Sequence, residues 1–264
     1  MTLDTRRPVG PPNRLLQAAE SRVVVEFFGF LASSPCVGFL PRGDGHPVLV
    51  LPGFTGTDDS TEPLRWVLRT LGYEARGWDL GRNVGPTDFV LDGMEARLEI
   101  LHRQYGEPVS LVGWSLGGIY ARELARDNPA AVRQVVTLGS PFRMRRDDRS
   151  SIQHLADLFE ESWRPGALRR ALAERDKPPL PVPSTAIYSR SDGVVSWELC
   201  VDDAVGQHEN VEVYGSHTGL GFNPWAVYAV ADRLALHADG WRPFRPPLAL
   251  RCWFPRAVDR SPAD

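Results

Sequence analysis

The sequence predicts an α/β protein in which a mostly parallel β-sheet carries helices on both faces. Two observations favour this class. Short apolar runs bounded by proline, glycine or polar residues alternate along the chain with longer segments of helical periodicity. The 264 residues, 42% of them hydrophobic, are enough for one domain with a sizeable core. Because strands that alternate with helices form βαβ units, we expect parallel pairing and a single domain over residues 1–264.

The predicted strands are short and end at residues that break regular structure. Pro47 to Leu51 is representative, since it is wholly apolar, rich in β-branched residues and followed by Pro52-Gly53. The predicted strands are 47–51, 73–78, 109–112, 134–138, 184–189 and 211–214. The predicted helices are 13–31, 59–71, 86–105, 115–127 and 223–236.

Residues 1–40 are interpreted as an N-terminal extension that contains a helix. Its apolar segment, 23–40, is short for a bilayer span and is interrupted by Glu26 and by Ser33 to Pro35. The first residues lack the pattern of a secretory signal, so a cytoplasmic location is expected. Peripheral contact with a membrane through residues 23–40 is the alternative.

Residues 141–183 interrupt the strand–helix alternation and are predicted to be a helical lid or cap over the sheet. This insertion begins polar, continues with helical spacing and ends in a cluster of prolines. Leu155, Leu158, Phe159 and Trp163 form an apolar stripe that either faces a pocket or packs in the core.

Composition argues against several partners and cofactors. With 30 basic and 33 acidic residues, the net charge of −3 gives no basic footprint for nucleic acid. The three cysteines, Cys36, Cys200 and Cys252, are far apart and form no CxxC pair, so we expect no zinc site. We interpret them as small buried hydrophobic residues, although one disulfide remains open.

The strongest chemical signal is Gly113-Trp114-Ser115-Leu116-Gly117, which lies between a predicted strand and a predicted helix. In that context G-x-S-x-G forms a sharp turn that exposes the serine hydroxyl above the sheet. The glycines let the strand and helix approach each other. The helix N-terminus places partial positive charge, and the N–H of Leu116, where an oxyanion would form.

This turn, followed by Tyr120-Ala121-Arg122 and the run from Val135 to Pro141, resembles the bacterial lipase and esterase branch of the α/β-hydrolases. Trp114 stands where that branch often has histidine. The resemblance also implies that the loop after residue 51 supplies a second oxyanion donor, the N–H of Phe54. Pro52 replaces the histidine that usually begins that loop.

An activated serine requires a base, and His217 is the histidine best placed to act as one. In this fold the order along the chain is serine, acid, histidine, which leaves His208, His217 and His237. His217 follows a predicted strand and precedes the last helix, where parallel sheets collect ligand chemistry. His208 precedes that strand, and His237 lies at or beyond the end of the helix.

The acid is predicted to be Asp192, because it follows the strand 184–189 and precedes a glycine that permits a tight turn. The segment Ser191 to Val195 is also similar to the acid loop of the same lipase branch. Asp202 and Asp203 follow later, and Asp79 precedes the serine.

These residues predict a serine carboxylester hydrolase that forms an acyl-enzyme and needs no metal or organic cofactor. Apolar side chains near the predicted pocket favour a hydrophobic, small-molecule or lipid-like ester, with Trp114, Leu220 and Phe222 as substrate-binding candidates. An acyltransferase or thioesterase with the same triad is the alternative. A non-catalytic binding protein is disfavoured because all three triad positions are filled in order.

Overall fold

Six strands form one parallel sheet in the computed structural model of the chain, which describes residues 7–145, 147–153, 157–168, 177–237 and 240–258. The strand order is β2-β1-β3-β4-β5-β6, and every neighbouring pair is parallel. The strands are β1 (Pro47–Leu51), β2 (Glu74–Gly77), β3 (Val109–Trp114), β4 (Val132–Leu138), β5 (Ser184–Tyr188) and β6 (His208–Glu212). The predicted α/β class with a parallel sheet is therefore confirmed.

Helices cover both faces of the sheet, and three of them connect the strands from β1 to β4. They are α1 (Arg14–Ala19), α2 (Val23–Ser33), α3 (Asp58–Thr70), α4 (Asp88–Tyr105), α5 (Leu116–Asp127) and α6 (Pro224–Leu234). The N-terminal extension holds α1 and α2, which short 3₁₀ turns extend into one helical run from Arg14 to Phe39. This run is longer than the predicted 13–31 helix.

The two faces of the sheet form separate apolar cores because side chains alternate along each strand. In β1, Val48 and Val50 face the layer of α3 and α6, whereas Leu49 and Leu51 face α4 and α5. Both pairs are fully buried, and each such side chain contributes roughly 1.5–3 kcal/mol to the free energy of unfolding.

The order in which the chain adds strands to the sheet reverses between β1 and β3. From β1 the chain moves outward to β2, then returns past β1 to β3 and continues to β6. Val50 of β1 lies beside Val112 of β3, so the loops that follow these two strands meet at the same edge. In open α/β sheets ligands bind at such a reversal, beyond the carboxyl ends of the strands.

Two sequence predictions need correction. The last strand was expected at 211–214 but runs from His208 to Glu212, so His208 is its first residue and lies at the edge opposite the loop containing His217. Cys200 is buried as expected, whereas Cys36 and Cys252 are exposed, and all three are free thiols.

The helical run Arg14–Phe39 is long and apolar enough to cross a membrane by length and composition. The apolar segment expected from the sequence, 23–40, is shorter than this run and is short for a bilayer span. In the structure one side of the run packs on the domain through Phe30 and Val37, and most of its apolar surface is exposed.

Candidate active site

Ser115 occupies the sharp turn between β3 and α5. Its backbone has φ 53° and ψ −119°, a conformation that residues other than glycine rarely adopt. A Cβ at Gly117 would lie 2.3 Å from the carbonyl oxygen of Leu51, and one at Gly113 would lie 2.4 Å from the nitrogen of Gly118. Both positions therefore require glycine, which is the steric demand that the sequence motif indicated.

Three loops at the carboxyl edge of the sheet bring Ser115, His217 and Asp192 together. His217 Nε2 lies 2.9 Å from Ser115 Oγ, and His217 Nδ1 lies 2.6 Å from Asp192 Oδ2. The three residues are 7%, 6% and 3% exposed, respectively. The geometry suits removal of the hydroxyl proton by an imidazole that a carboxylate orients.

Asp192 is fixed by its own loop as well as by the histidine. Its Oδ1 accepts hydrogen bonds from the N–H groups of Val194 and Val195, each at 2.8 Å. Because Oδ1 is occupied in this way, Oδ2 is the oxygen that faces the imidazole.

The electrostatic surroundings keep the His217 imidazole basic. Burial alone would lower the pKa of His217, but the Asp192 carboxylate and, more weakly, Glu20 raise it above its ordinary value. A buried histidine with a raised pKa next to a serine hydroxyl is a combination typical of general-base sites.

The loop after β1 lies directly against the serine. A Cβ at Gly53 would lie 3.2 Å from Ser115 Cβ, a tight contact that glycine avoids. Across the described residues, the N–H groups of Phe54 and Leu116 donate to no protein acceptor, which leaves both available to an oxyanion.

Asn83 holds this loop in place, although the sequence gave no signal for its role. It is fully buried, and its Nδ2 donates to the carbonyl oxygen of Pro52 at 2.8 Å. Its backbone accepts from the N–H of Thr55 at 2.7 Å and donates to the carbonyl of Gly56 at 2.8 Å. The side chain and the backbone of this one residue thus brace both ends of the loop containing Phe54.

The rival acids are engaged elsewhere. Asp202 pairs with Arg122 at 2.7 Å, and Asp203 pairs with Arg143 at 2.9 Å. Asp79 forms an ion pair with Arg97. Of the rival histidines, His208 faces the carbonyl of Leu180 at 3.0 Å, and His237 is exposed after α6.

A second Ser–His–Asp chain lies at the opposite edge of the sheet. His46 Nε2 is 2.7 Å from Ser110 Oγ, and His46 Nδ1 contacts Asp44. Ser110 and His46 are fully buried, and neither lines the cleft described below. These hydrogen bonds satisfy buried polar groups. A serine hydrogen-bonded to a histidine that contacts an aspartate is therefore not by itself a reactive serine.

A cleft of about 570 Å³ opens onto Ser115. Its apolar lining near the serine includes Phe54, Leu116 and Ile119, together with Met144 from the insertion. Charged residues also line it: Arg145, Asp148, Arg149, Asp157, Glu160 and Arg164. The cleft therefore combines an apolar part with a charged part.

The predicted substrate-binding residues lie outside this lining. Trp114 donates from Nε1 to the carbonyl oxygen of His217 at 3.1 Å, so it supports the histidine loop. Leu220 is fully buried in the core, and the ring of Phe222 packs edge-on against Phe27 at 5.4 Å. Leu220 thus belongs to the core, and Trp114 and Phe222 pack against that core.

Residues of the insertion between Pro141 and Leu168 form one wall of the cleft. The rings of Phe159 and Trp163 contact Phe54 edge-on, with centroids 5.7 and 6.4 Å away. Leu158 is 77% exposed and so joins neither pocket nor core. Leu155 lies outside the described residues.

Within the described ranges, no group of three or more His, Cys, Asp or Glu side chains is placed to hold a metal ion.

No protein-family model matches the chain. The curated mouse protein Serine hydrolase BPHL is 29% identical over 132 residues, which make up 46% of this chain and 45% of that protein. The match therefore spans slightly under half the length of the relative.

Solved structures match over a larger share of the chain. Aspergillus fumigatus lipase B superposes with a TM-score of 0.57 at 17% identity, covering 74% of this chain and 54% of that chain. Bacillus licheniformis lipase BlEst2 superposes with a TM-score of 0.52 at 16% identity, covering 74% of this chain and 92% of that chain.

The sheet order, the strained serine turn and these superpositions together define an α/β-hydrolase fold. The resemblance seen in the serine motif is thus confirmed at the level of the fold.

Proposed function

We propose that this protein is a serine hydrolase that cleaves carboxylic esters through an acyl-enzyme. The observation that carries the proposal is the relay from Ser115 Oγ through His217 to Asp192, set at a strained turn that opens onto a cleft. Ser110 has similar side-chain contacts but is fully buried and does not line this cleft, so accessibility separates the two serines.

The reaction begins when Ser115 Oγ attacks the ester carbonyl and its proton passes to His217 Nε2. A C–O bond forms, and the oxyanion accepts hydrogen bonds from the N–H groups of Phe54 and Leu116. The bond to the alcohol oxygen then breaks, and His217 returns the proton to that leaving group. Asp192 stabilises the imidazolium while it exists.

Water completes the cycle by the same steps. His217 removes a proton from water, the hydroxide adds to the acyl carbonyl, and Ser115 Oγ leaves with the proton that His217 returns. Each of the two N–H donors is expected to raise the rate by a factor of about 10²–10³, which is the factor lost when one such donor is removed.

The cleft favours an ester with an apolar acyl group and a polar remainder. The apolar side chains of Phe54, Leu116 and Ile119 lie next to the serine, where an acyl chain would be held. The rest of the lining carries charged side chains of both signs, including Arg149, Asp157 and Glu160, and suits a polar part of the substrate.

The exposed face of the N-terminal extension supports contact with a lipid surface. Between residues 23 and 40, every exposed residue is apolar or small and uncharged, including Val25, Phe28 and Phe39. A contiguous apolar surface of this kind suits insertion into the interfacial region of a bilayer. The cytoplasmic location expected from the sequence stays a prediction.

Sedimentation with phosphatidylcholine vesicles tests the lipid contact. Val25→Glu and Phe28→Glu are expected to leave the protein in the supernatant, while Phe89→Glu, which changes an exposed aromatic residue on α4, should sediment like the wild type. Equal sedimentation of all four proteins, or none by the wild type, would contradict the contact.

Turnover of p-nitrophenyl esters from acetate to palmitate tests the main proposal. The wild type should hydrolyse them, Ser115→Ala should not, and Ser110→Ala should retain activity because its hydroxyl faces only His46. Hydrolysis that survives in Ser115→Ala would refute the proposal. Transfer of the acyl group mainly to an added alcohol, with slow hydrolysis, would favour the acyltransferase alternative. Faster hydrolysis of thioesters than of esters would favour the thioesterase alternative.

A further inference from the structure

The N-terminal extension contacts the two loops that carry Asp192 and His217. Glu20, in the turn between α1 and α2, places Oε1 2.8 Å from the N–H nitrogen of Gly193 and 2.9 Å from that of His217. One carboxylate oxygen therefore bonds to the residue after the acid and to the histidine itself.

The second oxygen of Glu20 also bonds to the histidine loop. Oε2 accepts from the N–H of Thr218 at 3.1 Å and from its hydroxyl at 3.0 Å. Burial alone would raise the pKa of Glu20, but the N–H groups of His217, Thr218 and Gly193 lower it overall. Glu20 is therefore an anion at neutral pH.

Neighbouring side chains bind the same loops. The guanidinium of Arg22 donates to the carbonyl oxygens of Ser191 at 2.5 Å and Gly215 at 2.8 Å. Glu26 accepts from the N–H of Ser216 at 2.8 Å, and Arg22 pairs with Glu26. These contacts fall on residues within two positions of Asp192 or His217.

A glycine in each loop makes room for the extension. A Cβ at Gly193 would lie 2.3 Å from the carbonyl oxygen of Leu16 in α1, and one at Gly219 would overlap the Glu26 carboxylate. Both loops therefore have the shape that close packing of α1 and α2 requires.

We propose that Glu20 is a positioning residue that holds the acid loop and the histidine loop at the separation the relay needs. The proposal rests on the proposed function. Other bonds join the loops, since the carbonyl of Gly215 accepts from Ser189 Oγ at 2.8 Å and from Ser191 Oγ at 3.1 Å, but these bonds involve neither Asp192 nor His217. Glu20 is bonded at His217 itself.

Geometry and charge give Glu20 two separable effects. Its four hydrogen bonds fix the loops, and its negative charge adds to that of Asp192 in raising the pKa of His217. The charged groups around the His217 loop are Asp192, Glu20, Glu26 and Arg22, and the last two are paired with each other.

Kinetics of full-length variants on a short, soluble p-nitrophenyl ester test this proposal. Glu20→Ala removes all four acceptor contacts, and kcat should fall about tenfold or more, because misplacing catalytic groups by 1 Å costs up to about 10² in rate. The KM should change little, since Glu20 does not line the cleft. Glu99→Ala, an exposed carboxylate on α4, serves as the control and should match the wild type.

Glu20→Gln separates the charge from the contacts. Its amide oxygen can keep the bonds to Gly193 and His217, so its kcat should exceed that of Glu20→Ala. The acidic limb of its kcat/KM profile should move to lower pH, because a neutral neighbour no longer favours the imidazolium.

Rates are normalised to the fraction of Ser115 that a fluorophosphonate labels, and thermal unfolding confirms that each variant is folded. The proposal is overturned if two results occur together. The loss of kcat in Glu20→Ala disappears after this normalisation, and the acidic limb of the kcat/KM profile is unchanged in Glu20→Gln. Glu20 would then have a purely structural role.

NMR titration of the His217 ring provides a readout that does not depend on turnover. A lower His217 pKa in Glu20→Gln than in the wild type supports the placement of Glu20, even if no ester is a substrate. Equal pKa values overturn it. An unlabelled Ser115 in the wild type would instead count against the proposed hydrolase function.

Discussion

Replacing Asp192 by asparagine tests how the relay sets the tautomer of His217. Asp192 Oδ1 accepts from two backbone N–H groups, so the amide oxygen of asparagine must take that place. The amide NH₂ then faces His217 Nδ1, which sits 2.6 Å from the replaced oxygen. Nδ1 must accept this hydrogen bond, so the imidazole proton moves to Nε2, and Nε2 can no longer take a proton from Ser115.

The expected loss in kcat is about 10⁴-fold, equivalent to ~5 kcal/mol in activation free energy. The assay is hydrolysis of a short p-nitrophenyl ester by folded Asp192→Asn, with Asp203→Asn as the matched control because Asp203 pairs with Arg143 away from the relay. A kcat for Asp192→Asn within tenfold of the wild type would refute this reasoning about the tautomer.

Three further predictions concern pH, the oxyanion loop and the core. Because only neutral His217 accepts a proton and its pKa is raised, kcat/KM should fall as pH decreases, with a midpoint above the ordinary value of 6.5, and a midpoint below 6.5 would contradict this. Asn83→Ala should lower kcat by up to about 10²-fold with little change in KM, because Asn83 braces the loop containing Phe54. Asn210→Ala removes comparable bonds at β6 and should keep the wild-type kcat, so equal kcat values for the two variants would exclude the bracing role of Asn83. Arg122→Ala leaves Asp202 buried without its ion-pair partner, so urea unfolding should show a loss of about 3–5 kcal/mol, and a loss below about 1 kcal/mol would be inconsistent with the buried pair.

The sequence predicts the fold and the grouping of Ser115, Asp192 and His217 because these depend on local patterns. The serine turn requires glycine at fixed spacings, and β1 is a wholly apolar run because both faces of the sheet are covered. The acid and the histidine each follow a strand at the same edge, so chain order and strand position are enough to select them.

Contacts between distant parts of the chain are not encoded in this way. Glu20 reads in the sequence as an ordinary helical surface residue, and its bonds connect it to residues almost 200 positions away. Leu220 and Phe222 are close to His217 in sequence, yet the turn before α6 directs them into the core and against α2. Apolarity near a catalytic residue does not say which side of the loop a side chain faces.

Covalent labelling of Ser115 tests the central claim most directly. Wild-type protein is treated with a fluorophosphonate, digested and analysed by mass spectrometry, in parallel with Ser115→Ala and His217→Ala. The relay predicts one phosphonyl adduct on the peptide containing Ser115, none in Ser115→Ala and much slower labelling in His217→Ala. An adduct elsewhere, or unchanged labelling in His217→Ala, would contradict the assignment of Ser115 as the nucleophile activated by His217.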